Sequence, residues 1–355
     1  MKRSSALTVV LVSCWLCAGR PLAADQDVEK ARQHGAMGQI TLRVTDSTGK
    51  PVEKAELSVA FWGSDSSADV VVSEGTTDSN GLFLANGKTI DSMSYTIIKD
   101  GYYKTRGKYW FYRPSGLGSG KNWAVSATSR EYWHYHQGEN SVKDGRWQPW
   151  NTTNTVVLKE VRNPIPMSAK RVDSSVPVQG APVGYDLEVG DWVVPSGQGK
   201  QPDVLIAYNA AIESPLAFSN QLVIAISNKG DGFIRVNKEE WSSFPSNYEA
   251  PDSGYQSQVV FSLDRTRERI MKKEQLGESD YLMFRVRTVL DNDGNITSAR
   301  YGKIYGPVEY GEEERGGGGV RFIYYLNPTA NDRNLEFDPS RNLIPNPGSP
   351  PVNIP

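Results

Sequence analysis

An all-β fold with little helix, arranged as two β-sandwich-like domains, follows from three observations in this 355-residue chain. Gly (33) and Pro (21) are plentiful, Tyr (17) and Trp (9) are abundant, and apolar residues recur with period two between turn signals. A length of 355 residues allows about two domains. Hydrophobic residues at 38% supply enough material for packed cores and exclude a fully disordered chain. A formal net charge of −2 argues against nucleic acid as partner, because such proteins carry a basic excess.

The first segment, residues 1–24, reads as a signal peptide. Lys2 and Arg3 precede an uncharged run from Ala6 to Ala18, which is too short for a membrane span. Small residues at Ala23 and Ala24 place cleavage near Ala24, although Leu22 is a poor residue at the −3 position. A buried N-terminal helix is the alternative. Leu11-Val12-Ser13-Cys14 also resembles a bacterial lipobox, in which Cys14 would carry a lipid, the one membrane attachment expected here. Cys14 and Cys17 are the only cysteines, so ordinary cleavage leaves no disulfide and no thiolate metal site. Cleavage removes three of the 39 basic residues and none of the 41 acidic ones, taking the charge to about −5. That weakens binding of an anionic polymer by charge alone. The expected location is outside the cytoplasm: periplasm, cell envelope or medium.

Residues 25–36 form a polar leader, helical or flexible. From residue 37 the pattern becomes β. Ile40, Leu42 and Val44 alternate with polar residues, as do Leu57, Val59 and Phe61, and then Met93, Tyr95 and Ile97. Asp46–Pro51, Thr77–Gly81 and Lys99–Tyr102 are turns. These pieces, Ile40-x-x-x-Val44-x-Asp46-x-x-Gly49-x-Pro51-Val52-x-x-Ala55-x-Leu57-x-Val59, Thr77-Asp78-x-x-Gly81-x-Phe83 and Lys99-x-Gly101-Tyr102, resemble the carboxypeptidase regulatory-like domain. The resemblance covers about residues 37–112 and implies a transthyretin-like (prealbumin-like) sandwich, with a closing strand near Thr155–Val161. In that family the domain is non-catalytic, so no active residue carries over. The first domain is therefore expected over 37–162, with an aromatic-rich insertion at 113–150.

Asn163–Met167 is a Pro-rich and therefore stiff boundary. A second β-rich domain is expected over 163–330. Its strands are Val204–Ala211, Leu222–Ser227, Phe233–Val236, Gln258–Leu263, Tyr281–Leu290, Ile296–Tyr305 and Arg321–Leu326. Within Tyr281–Leu290, Leu282, Phe284, Val286 and Leu290 share one face, and Arg285 and Arg287 the other. A helix is expected near Arg265–Leu276 and a mobile loop at Glu312–Gly319. The Pro/Asn-rich tail, 331–355, is expected to lie extended on the surface or to be disordered.

Catalytic and metal motifs are sparse. His134 and His136 share one face of a strand, and with Glu139 they are weak candidates for a surface metal site. His136-x-x-Glu139 matches the ligand pair of zinc carboxypeptidases, but no third histidine follows it. Ser115–Asn122 lacks the first Gly and the Ser/Thr of a P-loop. No G-x-S-x-G and no H-E-x-x-H occurs. Asp291–Asn295 resembles the start of a Ca²⁺ loop, but Gly302 stands where the last ligand, a Glu, belongs, so a hairpin turn explains it better. Asp186, Glu188 and Asp191 beside Trp192, and Glu239 and Glu240 beside Trp241, are the acids that could serve a carbohydrate-active enzyme.

Aromatic density is the best functional signal. Twelve aromatic residues lie between Tyr102 and Trp150, five of the nine tryptophans among them, interleaved with polar side chains. Tyr109, Trp110, Trp123, Trp133, Trp147 and Trp150 are the candidate ligand-binding residues, because aromatic faces with polar rims suit sugar rings and protein partners alike. The competing reading packs them inside the sandwich. The expectation is an exported, non-enzymatic, cofactor-free protein of a bacterial envelope that binds polysaccharide or another envelope ligand. A structural component of an envelope assembly is the alternative, and an unrecognised carbohydrate-active enzyme a second one.

Overall fold

Carboxylate-built turns set the strand spacing in the computed structural model, which describes residues 23–63, 70–112, 134–137, 139–214, 216–237, 242–277, 280–312 and 317–355. Asp46 Oδ1 accepts hydrogen bonds from Thr48 N, Thr48 Oγ1 and Lys50 N. Asp78 Oδ1 does the same for Asn80 N and Leu82 N. Gly81 follows with φ +72°, and a Cβ there would lie 2.3 Å from the Val44 carbonyl oxygen, so both its dihedral and its contact demand glycine. These turns leave short strands with one apolar face each.

A helix, α1 (Ala23–His34), leads into the first sandwich. Its strands are β1 (Ala36–Thr45), β2 (Glu56–Trp62), β3 (Val70–Thr76), β4 (Leu82–Thr89), β5 (Ser92–Ile98), β6 (Thr105–Trp110), β7 (His134–Gln137), β8 (Val142–Lys143), β9 (Arg146–Trp147) and β10 (Thr152–Val157). One sheet centres on β1, flanked by β4, β10 and the short β9–β8 pair. The other runs β3-β2-β5-β6-β7. The alternating residues read from the sequence meet between them: Ile40, Leu42, Val44, Leu57, Val59, Phe61, Met93, Tyr95 and Ile97 form one buried cluster.

The second sandwich contains β11 (Ser168–Ser175), β12 (Val183–Asp186), β13 (Asp191–Trp192), β14 (Val204–Ser214), β15 (Ala217–Ala225), β16 (Gly232–Asn237), β17 (Gln258–Arg265), β18 (Ile270–Glu274), β19 (Asp280–Leu290), β20 (Ile296–Glu312) and β21 (Gly318–Leu326). Its sheets are β11-β21-β20-β19-β16 and β13-β12-β14-β15-β17-β18. The described regular structure is thus all but entirely strand, and no described helix is long and apolar enough to cross a membrane.

Four expectations change. Arg265–Leu276 is not a helix but the β17–β18 hairpin, because β17 pairs along its whole length with β15 and β18 joins it at the edge. Of the expected loop Glu312–Gly319, Glu312, Gly318 and Gly319 are paired strand residues, and 313–316 lie outside the described residues. Arg287 does not share the face of Arg285: a bulge after Val286 gives it φ +56° and turns its side chain to the facing sheet. The tail is ordered. Leu335, Phe337 and Val352 are buried with Tyr281, Met283, Tyr305 and Tyr325 on the outer face of the β11–β16 sheet. Its apolar residues are few, but Leu335, Phe337 and Val352 land on an aromatic surface that would otherwise face water.

The tail also locks the two sandwiches together. Glu336, 1% exposed, accepts from Tyr103 Oη at 2.7 Å, Arg162 N at 2.8 Å and Asn163 N at 2.7 Å. Tyr103 packs on Phe244, with ring centroids 5.0 Å apart. Lys159 Nζ donates to Ser246 O, and Tyr248 Oη donates to Glu160 O. A bridge joins Thr105 to Ser242.

Candidate functional site

Strand β6 alternates strictly: Thr105, Gly107 and Tyr109 are buried, and Arg106, Lys108 and Trp110 are half-buried. The second set lies on the outer face of the β3–β7 sheet. Register carries that face across the sheet. Ser92 pairs with Trp110, Ser94 with Lys108, and Thr96 with Arg106. Beyond them lie Ser58 and Ala60 of β2, opposite Thr96 and Ser94. Trp62 ends β2 on the same face, half-buried, and its Nε1 donates to Ser94 Oγ at 3.4 Å. Trp62 and Trp110 therefore stand on either side of the buried Ser92 and Ser94, two strand spacings or about 10 Å apart. Lys108 Nζ sits 3.8 Å from the Trp110 ring centroid. Burial pushes the Lys108 amine below its ordinary value, against the pull of Asp91.

The expected aromatic platform divides. Tyr109 (2% exposed) and Trp147 (0%) are core residues, not ligand contacts. Strand alternation points Tyr109 inward, and Trp147 closes the end of the sandwich, its Nε1 donating to Thr89 O at 2.9 Å. Phe111 and Tyr112 pack on Trp147, and Arg32 of α1 covers Tyr112. Trp150 is half-buried under Arg146, 4.8 Å from the ring centroid. Trp123 and Trp133 lie outside the described residues, as do the Ser115–Asn122 loop, Glu239, Glu240 and Trp241. His134 and His136 pair through their backbones with Gly107 and Tyr109, but their side chains are not among those described. Glu139 is exposed, and the described residues contain no group of three metal-binding side chains. Trp62 lies 40 positions before the aromatic-rich segment that opens at Tyr102, so aromatic density does not mark it. The alternation Leu57, Val59, Phe61 already assigned Trp62 to the opposite face.

Asp186 and Glu188 do converge, but on an arginine. Arg287 donates from Nε to Asp203 Oδ1 at 2.6 Å, from Nη2 to Asp203 Oδ2 at 3.0 Å and to Asp186 Oδ1 at 3.1 Å, and from Nη1 to Glu188. Arg300 pairs with Glu188 at 2.9 Å. Asp186 also accepts four backbone N–H bonds, from Glu188, Val189, Lys200 and Gln201. Burial works against its charge, but those bonds outweigh it and hold the carboxyl below the usual range. Glu188 is held down by Arg300 and Arg287, again against burial. Neither acid can keep a proton near neutral pH as a general acid must. Asp191 caps Trp192 N and Gln198 N. The group staples the 186–203 loops to β19. Asp291 likewise closes its own turn through Asp293 N and Asn295 N.

No protein-family model and no curated protein matches the chain. Among solved structures it is similar to 3-chlorocatechol 1,2-dioxygenase from Rhodococcus opacus, at 15% identity and a TM-score of 0.28 over 36% of this chain and 61% of that one, so it spans under two thirds of the dioxygenase. It is also similar to the shaft pilin SpaA from Lactobacillus rhamnosus, at 11% identity and a TM-score of 0.20 over 56% of this chain and 90% of that one. BcpA, the major pilin subunit of Bacillus cereus, gives 13% identity and a TM-score of 0.20 over 80% and 95%. Likenesses this low carry no functional weight.

Proposed function

We propose that the chain is an exported, non-enzymatic β-sandwich protein of a bacterial envelope that binds a polysaccharide on the outer face of the β3–β7 sheet. What carries the reading is the pair Trp62 and Trp110, half-exposed on either side of Ser92 and Ser94, with Lys108 stacked on one ring. Export rests on the leader sequence, and a lipid at Cys14 is its variant form. The first sandwich is proposed to be a carboxypeptidase regulatory-like module, which in that family has no catalytic role.

The test is a tryptophan-fluorescence titration of residues 25–355 with soluble polysaccharides and wall fragments, with reducing ends assayed in the same tubes. Saturable quenching without new reducing ends is expected, and Trp62→Ala and Trp110→Ala should abolish it. New reducing ends would replace the binding reading with an enzymatic one. A second reading, a structural component of an envelope assembly, is favoured by the buried joint around Glu336, which suits a rigid spacer. Crosslinking in the native envelope, with recovery of a stoichiometric protein partner and no glycan response, would select it.

A further inference from the structure

We propose that the polymer bound on this face is an acidic polysaccharide, held by a row of three cations, Lys104, Arg106 and Lys108. The inference rests on the reading of the face as a glycan site. Alternation along β6 spaces Arg106 and Lys108 about 7 Å apart, and Lys104 stands two residues before Arg106, just ahead of the strand. Lys104 is exposed, and Arg106 and Lys108 are half-buried on the same side of β6. Trp110 continues the row at its far end, so β6 presents two cations and then an aromatic ring, with Lys104 leading into the strand. Hydroxyls of Ser58 and Thr96 line the neighbouring strands. That combination matches a polymer bearing carboxylates or sulfates on hydroxyl-rich rings, which needs charge, stacking and neutral hydrogen bonds along one line.

Among the described residues, three acids border this face. Glu56 and Glu74 belong to β2 and β3, and Glu74 accepts from Ser58 Oγ at 3.2 Å. Asp91 lies at the corner before β5 and is the carboxylate that acts on Lys108. The cations repel one another: Lys104 is pushed down by burial and then by Arg106. Burial also lowers Arg106. A bound anion relieves both costs, which a neutral polymer does not. The chain's negative net charge does not oppose this, because exposed charges are screened beyond about 8–10 Å, and the row acts at contact distance.

The experiment is affinity electrophoresis and calorimetry of residues 25–355 against polygalacturonate, alginate and hyaluronate, with dextran and galactomannan as neutral counterparts, at 20 and 300 mM salt. Retardation by at least one acidic polymer is expected, lost by about tenfold or more at high salt. The triple variant Lys104→Gln, Arg106→Gln, Lys108→Gln should lose about tenfold or more in affinity with its near-ultraviolet dichroism unchanged. If that variant misfolds, Lys108→Gln alone, set against the distant Lys229→Gln, reads the same effect. Equal binding of neutral and acidic polymers overturns the acidic class but leaves the glycan reading standing. No binding to any polymer overturns both.

Discussion

Arg287 shows how one residue can set a loop. Its left-handed backbone is held by Asp231, whose carboxylate accepts from Arg287 N at 3.0 Å and Thr288 N at 2.8 Å. Its side chain then neutralises a fully buried Asp203, whose carboxyl burial pushes up against the pull of that guanidinium. Arg287→Ala strands this carboxylate and should cost about 3–5 kcal/mol in a urea denaturation. Lys303 poses the opposite problem. It is 0% exposed, donates to Ser246 Oγ at 3.1 Å and is ringed by Phe244, Tyr305 and Tyr325. The rings favour an ammonium, but burial and then Lys159 push its amine well below the ordinary value, with only Glu336 opposing. Among the described residues no carboxylate touches it, and burial decides. A base depressed in the fold binds its proton more tightly when unfolded. Stability is thus lost as pH falls from about 10.4, the unfolded value, toward the folded one, and the loss is complete below it. Lys303→Met should therefore be at least as stable as wild type at pH 7 and gain less stability between pH 7 and 10.

At the scale of elements, β5 and β6 approach through a glycine. A Cβ on Gly107 would lie 2.1 Å from Tyr95 Cζ, so the Tyr95 ring fills the space that a side chain would need. The Tyr95 hydroxyl is buried there without a hydrogen-bond partner. Gly107→Ala should destabilise by about 1–3 kcal/mol, and Tyr95→Phe should be neutral or stabilising. Thermal melts of the two variants in parallel check both signs. Strand periodicity was legible in Ile40–Val44, where one face is buried, and in Tyr281–Val286, which is apolar on one face and mixed on the other although both are buried. It was not legible in Ser168–Ser175, where Lys170 and Arg171 interrupt the pattern, nor in β18, whose charged residues read as helical. There, pairing with neighbours distant in sequence decided the conformation, and no local propensity records it.

For the whole molecule, the joint is the decisive feature. Glu336 comes from the tail, yet it satisfies two backbone N–H groups of the linker and the Tyr103 hydroxyl of the first sandwich. Glu336→Ala leaves three donors unpaired and should cost about 2–4 kcal/mol. It should also uncouple the sandwiches, seen as two calorimetric transitions and a larger radius of gyration by X-ray scattering. A single transition with unchanged dimensions would show that the other contacts, from Tyr103, Thr105, Lys159 and Tyr248, hold the joint without Glu336. Truncation at residue 330 should add binding of a hydrophobic dye, because Tyr305, Tyr325 and Met283 lose their cover.

The sequence by itself determined the β class, the turn positions and the alternating core of the first sandwich, because period-two burial and turn chemistry are local and survive without knowledge of partners. It also marked the region between Tyr102 and Trp150 as unusual. Only the tertiary structure decided which of its rings are core and which are surface: Tyr109 and Trp147 inside, Trp110 outside, and Trp62 joined to it across β5 from a strand 48 positions earlier. Net charge suffered the same limit. A chain with a negative total carries Lys104, Arg106 and Lys108 at alternate positions into and along β6, and a sum over residues discards the arrangement on which short-range electrostatics depends.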